Sequence, residues 1–344
     1  MSVTDRYFLA ANGFSGFRCH FSSLLNSDDV RRVYIIKGGS GVGKSTLMRS
    51  VSSHFSNKGF PVEEILCSSD PSSLDGVIIR SKRGSTVLID GTAPHEYDMK
   101  FPAMRDVIID LSRHLDDKAF DDKRDLVIEV IKSKKKCYDF AYRNLHLAGN
   151  SYNILLDTIA PYAKRDKIKG LAEKLFPKDV HSKAKIKSVL YSAFSKDGIV
   201  SLDVNDSQYK SVYCFDAGFK THLIFSLLID EIKGRSADIT VFSSPFSDDL
   251  ADGFSVNGDI LFKITDESPT CMSDCYFDTP DGEDREALAK CENIFNMALD
   301  IAKGALKRAF KNHRELEQIY GANMDFTKNS RLLENLIEKI AAEL

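Results

Sequence analysis

The chain has 344 residues, room for two domains, with 43% hydrophobic and 28% charged side chains and a net charge of −3. This is the composition of a globular protein with a sizeable core, and its near-balance of charge excludes a global bias toward nucleic acid or membrane surfaces. No run approaches the ~20 apolar residues of a membrane span. The opening Met1-Ser2-Val3-Thr4-Asp5-Arg6 lacks the layout of a signal peptide. Seven cysteines are scattered; the closest pair, Cys271 and Cys275, has no second pair to complete a zinc site. The expectation is a reduced, cytoplasmic protein that does not enter a membrane.

In chain order, Arg6-Tyr7-Phe8-Leu9-Ala10 and Asn12-Gly13-Phe14 predict a short strand and turn. Val33-Tyr34-Ile35-Ile36 predicts a core strand, and Lys44 to Asn57 a helix stopped at Lys58-Gly59. Between them stands Gly38-Gly39-Ser40-Gly41-Val42-Gly43-Lys44-Ser45-Thr46, the phosphate-binding pattern G-x-x-x-x-G-K-[ST] in its strand–loop–helix setting. Glycines let the backbone curl so that successive N–H groups face phosphate oxygens, and the following helix adds its positive end. Lys44 would reach the β and γ phosphates, and the Ser45 hydroxyl would ligate Mg²⁺.

Val62 to Cys67 predicts the next strand, apolar character resumes over Leu74 to Ile79, and Thr86-Val87-Leu88-Ile89-Asp90 reads as a buried strand ending in a carboxylate. Asp90 is the expected second carboxylate of the site, holding Mg²⁺ through water or positioning the attacking water. Asp70-Pro71 has two readings: a ligand group at the carboxyl end of a strand, or a helix cap followed by Pro. His95, after Pro94, either folds back to the site or is a turn histidine satisfied by its neighbours. Asp75-Gly76 reads as a turn, and Arg80 and Arg105 are candidate phosphate partners.

From about Met104 to Phe176 the spacing turns helical, with Val107, Ile108, Leu111 and Leu115 and then Leu126, Val127, Val130 and Ile131. Residues 132–187 are rich in lysine. A nucleic-acid or acidic-partner surface is one reading of that stretch; a solvated helical face is the other, favoured by the absence of aromatic interleaving.

Near residue 187 the pattern starts again. Ser211-Val212-Tyr213-Cys214-Phe215 echoes Arg32 to Ile36, Ile239 to Ser244 echoes Glu64 to Ser69, and Ile260 to Thr265 echoes the strand ending at Asp90. The helical tails also correspond, Ala309-Phe310-Lys311-Asn312 against Ala141-Tyr142-Arg143-Asn144. Matches in one order, at an offset of roughly 170–180 residues, predict a tandem duplication. The second copy keeps only Asp216-Ala217-Gly218-Phe219-Lys220-Thr221 at the loop, with Thr265 and Asp266 opposite Asp90 and Pro269 opposite Pro94. One glycine leaves too few inward N–H groups, and Asp216 adds a repelling charge, so this copy is expected to be nucleotide-silent.

Three stretches, Tyr34 to Leu47, Cys67 to Ile79 and Val87 to His95, resemble a family of largely uncharacterised bacterial proteins built from two P-loop ATPase-like halves. The resemblance spans nearly the whole chain and implies a P-loop fold and ATP binding. This sequence departs from it in lacking a complete second loop.

The expected architecture is α/β: a P-loop NTPase-type parallel sheet, tandemly duplicated, each half with a helical extension. Residues 1–180 would be the active domain, extended by helices over about 104–177. Residues 181–344 would be the degenerate repeat, with C-terminal helices over about 285–344. Those helices have apolar faces for packing on the body or for a dimer seam or other protein partner. The expected function is a Mg·ATP hydrolase or switch. ATP is preferred to GTP because Asn57-Lys58-Gly59-Phe60 fails the guanine-reading N-K-x-D pattern at its last position. The alternatives are a nucleoside-kinase-like phosphotransferase, with Asp70 on the acceptor hydroxyl, and a non-hydrolysing ATP-binding module.

Overall fold

The central strands of the first sheet form where the sequence is apolar on both faces, as at residues 33–36 and 87–89, which a covered sheet requires. A computed structural model describes residues 5–176, 185–235, 237–265 and 272–344. Asp266, Pro269 and Cys271, singled out above, lie outside the described residues. The first half runs β1 (Asp5–Phe8), β2 (Ala10–Gly13), β3 (Gly16–Cys19), α1 (Phe21–Leu25), β4 (Val30–Lys37), α2 (Lys44–Asn57), β5 (Val62–Leu66), β6 (Leu74–Ser81), β7 (Gly84–Asp90) and β8 (Asp106–Asp110). Its six-stranded sheet has the order β1-β5-β6-β7-β4-β8, and β2 and β3 form a separate hairpin.

The chain is α/β, but the sheet is mixed rather than parallel. Strand β4 pairs in parallel with β7 and β8, and β1 with β5, whereas β6 is antiparallel to both neighbours. The connections that flank β6, residues 67–73 and 82–83, are shorter than the dozen or so residues a parallel crossover needs. The helical expectation for the stretch after Met104 is also corrected. Residues 106–110 are strand β8 at the sheet edge, with Ile108 41% exposed between half-buried Val107 and buried Ile109. Alternation there outweighs the three-and-four spacing, and the long helix starts only at Arg124.

Two long helices and the second half complete the chain: α3 (Arg124–Ile159), α4 (Arg165–Leu175), β9 (Ile186–Val189), β10 (Ser192–Ser195), β11 (Gly198–Ser201), β12 (Ser211–Phe215), α5 (Phe219–Lys233), β13 (Ile239–Ser243), β14 (Ala251–Val256), β15 (Ile260–Ile264), α6 (Gly282–Gly321) and α7 (Phe326–Glu343). The second sheet reads β9-β13-β14-β15-β12 and β10–β11 form a hairpin. Its pairings run parallel, antiparallel, antiparallel, parallel, the same sequence as β1-β5-β6-β7-β4.

The helical extensions cross over: each sheet is covered in part by helices of the other half, although Leu288 at the start of α6 stays with the second core. Leu47, Met48, Val51 and Phe55 of α2 pack on Tyr34, Ile36 and Leu88, and Leu336 and Ile340 of α7 close the same core. Conversely Tyr152, Leu155 and Ile159 of α3, with Ile168 and Ala172 of α4, join Phe225, Leu228 and Phe254 of the second half. Helices α3 and α6 run antiparallel between the two. Ala141 and Leu145 pack on Ala302, Ala305 and Leu306, while Val127 and Val130 at the start of α3 meet Leu316 near the end of α6. Alanine at the crossing lets the backbones approach. The hairpins add polar ties, the buried Asn12 Nδ2 donating to the Phe194 carbonyl at 2.8 Å and its Oδ1 accepting from the Tyr142 hydroxyl at 3.0 Å. Among the described residues no helix is long and apolar enough to cross a membrane.

Removing residues 326–344 strips a face from the first sheet while leaving the second covered. Hydrogen exchange of that truncated chain should show faster exchange over residues 30–57 and unchanged protection over residues 239–264; equal loss in both halves would contradict the exchange of helices.

Candidate functional site

Residues 38–46 leave the end of β4 and enter α2, and three of their glycines occupy conformations other residues avoid. Gly38, Gly41 and Gly43 have φ of 140°, 77° and 94°. These turns curl the loop over the start of a 14-residue helix, where N–H groups lack partners and the dipole is positive. The Lys44 ammonium folds back across the loop, donating to the carbonyls of Gly38 and Gly39, both at 2.8 Å.

Asp90, at the end of β7 beside β4, places Oδ2 3.7 Å from Lys44 Nζ. Its Oδ1 accepts from the Thr92 backbone N–H at 2.9 Å and the Thr92 hydroxyl at 2.5 Å. Burial raises the Asp90 pKa above the ordinary carboxylate value, and Lys44 and Thr92 oppose that shift only in part. The Ser45 Oγ accepts the Leu74 N–H at 2.9 Å, fixing β6 against the start of α2. Lys44 and Asp90 are therefore brought together, with Ser45 next to Lys44 in the first turn of α2.

Asp70 and His95 are not at the loop. Asp70 opens a turn instead of capping a helix: its carbonyl accepts from Ser73 N–H at 2.8 Å and its carboxylate from the Ser72 hydroxyl at 2.9 Å. Lys196 of the second half approaches that carboxylate at 3.9 Å. His95 is buried and pairs through Nε2 with Asp75 Oδ2 at 2.9 Å, its ring edge-on to Phe17 and Phe21. Burial alone would lower the His95 pKa, but the Asp75 carboxylate overrides it and raises it to about 10. Asp75 itself is a buried member of β6, not a turn residue. Arg105 is structural, donating to Asp106 at 2.6 Å and to the Leu25 carbonyl at 2.6 Å. Arg80 likewise pairs with Glu63 and Asp29, not with the loop.

Sequence reasoning misses the residues that cover the loop, all from distant helices. The Ser40 hydroxyl lies 3.1 Å from His313 Nδ1 of α6, and Asn329 Nδ2 of α7 donates to the Val42 carbonyl at 2.9 Å. A Cβ on Gly41 would stand 2.4 Å from the Glu317 carbonyl oxygen, so only glycine admits this approach of helix to loop. The Tyr320 ring lies against Gly39. The loop is thus clasped by the end of α6 and the start of α7.

In the second half, the turn between β12 and α5 is closed by nearby carboxylates. Lys220 Nζ pairs with Asp274 Oδ1 at 2.6 Å, and the Asp216 carboxylate accepts from the Ser273 backbone N–H at 3.0 Å and hydroxyl at 2.7 Å. One further shared feature is visible in the sequence itself: Asp75-Gly76 opening β6 is matched by Asp252-Gly253 in β14. Asp252 also pairs with a histidine, His222 Nε2 at 3.2 Å. Two open cavities, of about 890 and 560 Å³, lie at residues 157–167 and around Arg18 and His222; neither is lined by residues 38–46. Comparison with protein-family models, with curated proteins and with solved structures returns no match.

The Asp75–His95 pair gives a pH-dependent stability. The folded pKa lies above the ordinary value of 6.5, so the contribution is complete below pH 6.5 and fades as pH rises toward 10. In denaturant unfolding, His95→Gln should cost about 3–5 kcal/mol at pH 6, with the gap from wild type narrowing by pH 10. A gap independent of pH would contradict the ion pair.

Proposed function

We propose that the first half is a P-loop nucleotide site that binds and hydrolyses Mg·ATP, and that the second half is its nucleotide-silent duplicate. The observation that carries this reading is the conformation of residues 38–46: three glycines in left-handed turns, with the Lys44 ammonium held over the loop and Asp90 3.7 Å away. A loop of this shape at a helix N-terminus suits an anion with several oxygens, and Lys44 supplies the charge that a transferring phosphoryl group needs. The duplication is supported by the common strand order and pairing pattern of the two sheets. Silence of the second site is supported by Lys220, already neutralised by Asp274.

The residues present fit a divalent cation. Asp90 is a desolvated carboxylate whose raised pKa only Lys44 and Thr92 oppose, the character of a group that gains from a further positive charge. Ser45 and Asp90 would hold Mg²⁺ together with nucleotide oxygens; when bound, the ion would neutralise charge on the β and γ phosphates. Among the described residues no three His, Cys, Asp or Glu side chains converge as a metal site, so affinity for the ion depends on the nucleotide. Within the chain, the loop orients the triphosphate, Lys44 stabilises the transferring group, and Asp90 holds water or metal beside it. Hydrolysis is favoured over transfer to an acceptor because Asp70, the one candidate acceptor carboxylate, is occupied by Ser72 and Lys196.

Phosphate release from Mg·ATP, measured on purified protein without added acceptor, tests this reading. Lys44→Ala should lower the rate at least about 100-fold, whereas Lys220→Ala should change it less than about twofold. Binding without release would leave a nucleotide-binding module; acceptor-dependent release would favour a phosphotransferase.

A further inference from the structure

We propose that Lys134 of α3, positioned by His313 of α6, bonds the terminal phosphate of a nucleoside triphosphate seated on residues 38–46. The inference rests on the nucleotide reading above and adds a residue from outside the loop that senses the third phosphate.

Lys134 belongs to a basic run whose other lysines, Lys132, Lys135 and Lys136, are exposed; Lys134 alone is half-buried. A lysine on a helix ordinarily extends its ammonium into water. This one turns inward, and its Nζ stands 3.5 Å from His313 Nδ1, which is 3.1 Å from the Ser40 hydroxyl at the crest of the loop. Lys134 makes no ion pair among the described residues. Burial, and then the neighbouring Lys44 ammonium, lower its pKa below the ordinary lysine value, and Glu317 opposes them only in part. Glu317 is already committed, to His313 Nε2 at 3.4 Å and to Arg314 Nη1 at 2.8 Å.

Two cations therefore converge on a glycine-rich loop at a helix N-terminus; Asp90 stands 3.7 Å from Lys44, but no carboxylate among the described residues pairs with Lys134. That arrangement is unfavourable when the loop is empty and favourable when an anion bridges it. The hydrogen bonds agree. Nε2 of His313 faces the Glu317 carboxylate, and Nδ1 faces both the Ser40 hydroxyl and the Lys134 ammonium, the one hydrogen-bond partner Lys134 has there. The ammonium thus keeps hydrogens free for a ligand. Lys44 bonds carbonyls of the loop itself, at Gly38 and Gly39, while Lys134 comes from α3 and reaches Ser40 through His313 of α6. This second cation is placed for the phosphate that a triphosphate has and a diphosphate lacks.

Calorimetric titration with Mg·AMP-PNP and with Mg·ADP tests the assignment in full-length protein. Lys134→Gln should weaken AMP-PNP binding at least about tenfold while leaving ADP within about twofold. Lys134→Arg should restore much of the loss, and Lys136→Gln, an exposed neighbour, should behave as wild type. Equal weakening for both nucleotides, or no weakening, would overturn the inference and leave the loop assignment standing. Wild type that binds neither nucleotide would overturn both. A second readout uses unmodified protein: acetylation of Lys134 by acetic anhydride, followed by mass spectrometry, should be suppressed more by AMP-PNP than by ADP. Equal protection would count against the assignment.

Discussion

The structure depends on one exchange: each sheet buries part of its apolar face with helices from the other half of the chain. Leu336 and Ile340, near the chain's last described residues, close the core that Tyr34 and Ile36 begin. Tyr152 and Ile159, from the helix after the first sheet, close the core of the second. Burying a few hundred square ångströms of apolar surface at roughly 25 cal/mol per Å² makes each half depend on the other for its stability. The halves are thereby held in one arrangement, with the antiparallel α3–α6 pair as the strut between them.

That arrangement decides what surrounds the loop. Alone, the strand–loop–helix unit would present its glycines to water. Here the α6 backbone at Glu317 lies directly on Gly41, and Asn329 of α7 bonds the Val42 carbonyl. Any ligand on residues 38–46 therefore meets groups carried by the long helices, and a change in the loop is felt at the end of a 40-residue helix that reaches the second half. The second half has a structural part in this geometry, because its α5 and its sheet are the platform on which α3 and α4 rest.

The part of the site legible in the sequence is the part whose chemistry is contiguous. Residues 38–46 carry their own phosphate-binding pattern, and Asp90 joins it because β7, which it ends, pairs in parallel with β4 and so reaches the same edge of the sheet. The helix from Lys44 to Asn57 is legible from its stop signal. The clasp is not legible, since His313 and Asn329 lie 273 and 287 residues beyond their loop partners and helix pairing leaves no local pattern. An apolar run such as Leu74 to Ile79 reports burial but not direction, so the antiparallel course of β6 stays hidden in it. Asp75 misleads because Asp-Gly usually marks a turn; here, as with Asp252-Gly253 in β14, the pair lies inside a strand.

The most direct test of the central claim is stoichiometry. Calorimetry with a non-hydrolysable Mg·ATP analogue and wild-type protein should give one site per chain under the proposed reading, in which residues 38–46 take the phosphates and the loop at residues 216–221 is closed by Asp216 and Asp274. Two sites per chain would contradict the silent copy, and no site would contradict the assignment of residues 38–46.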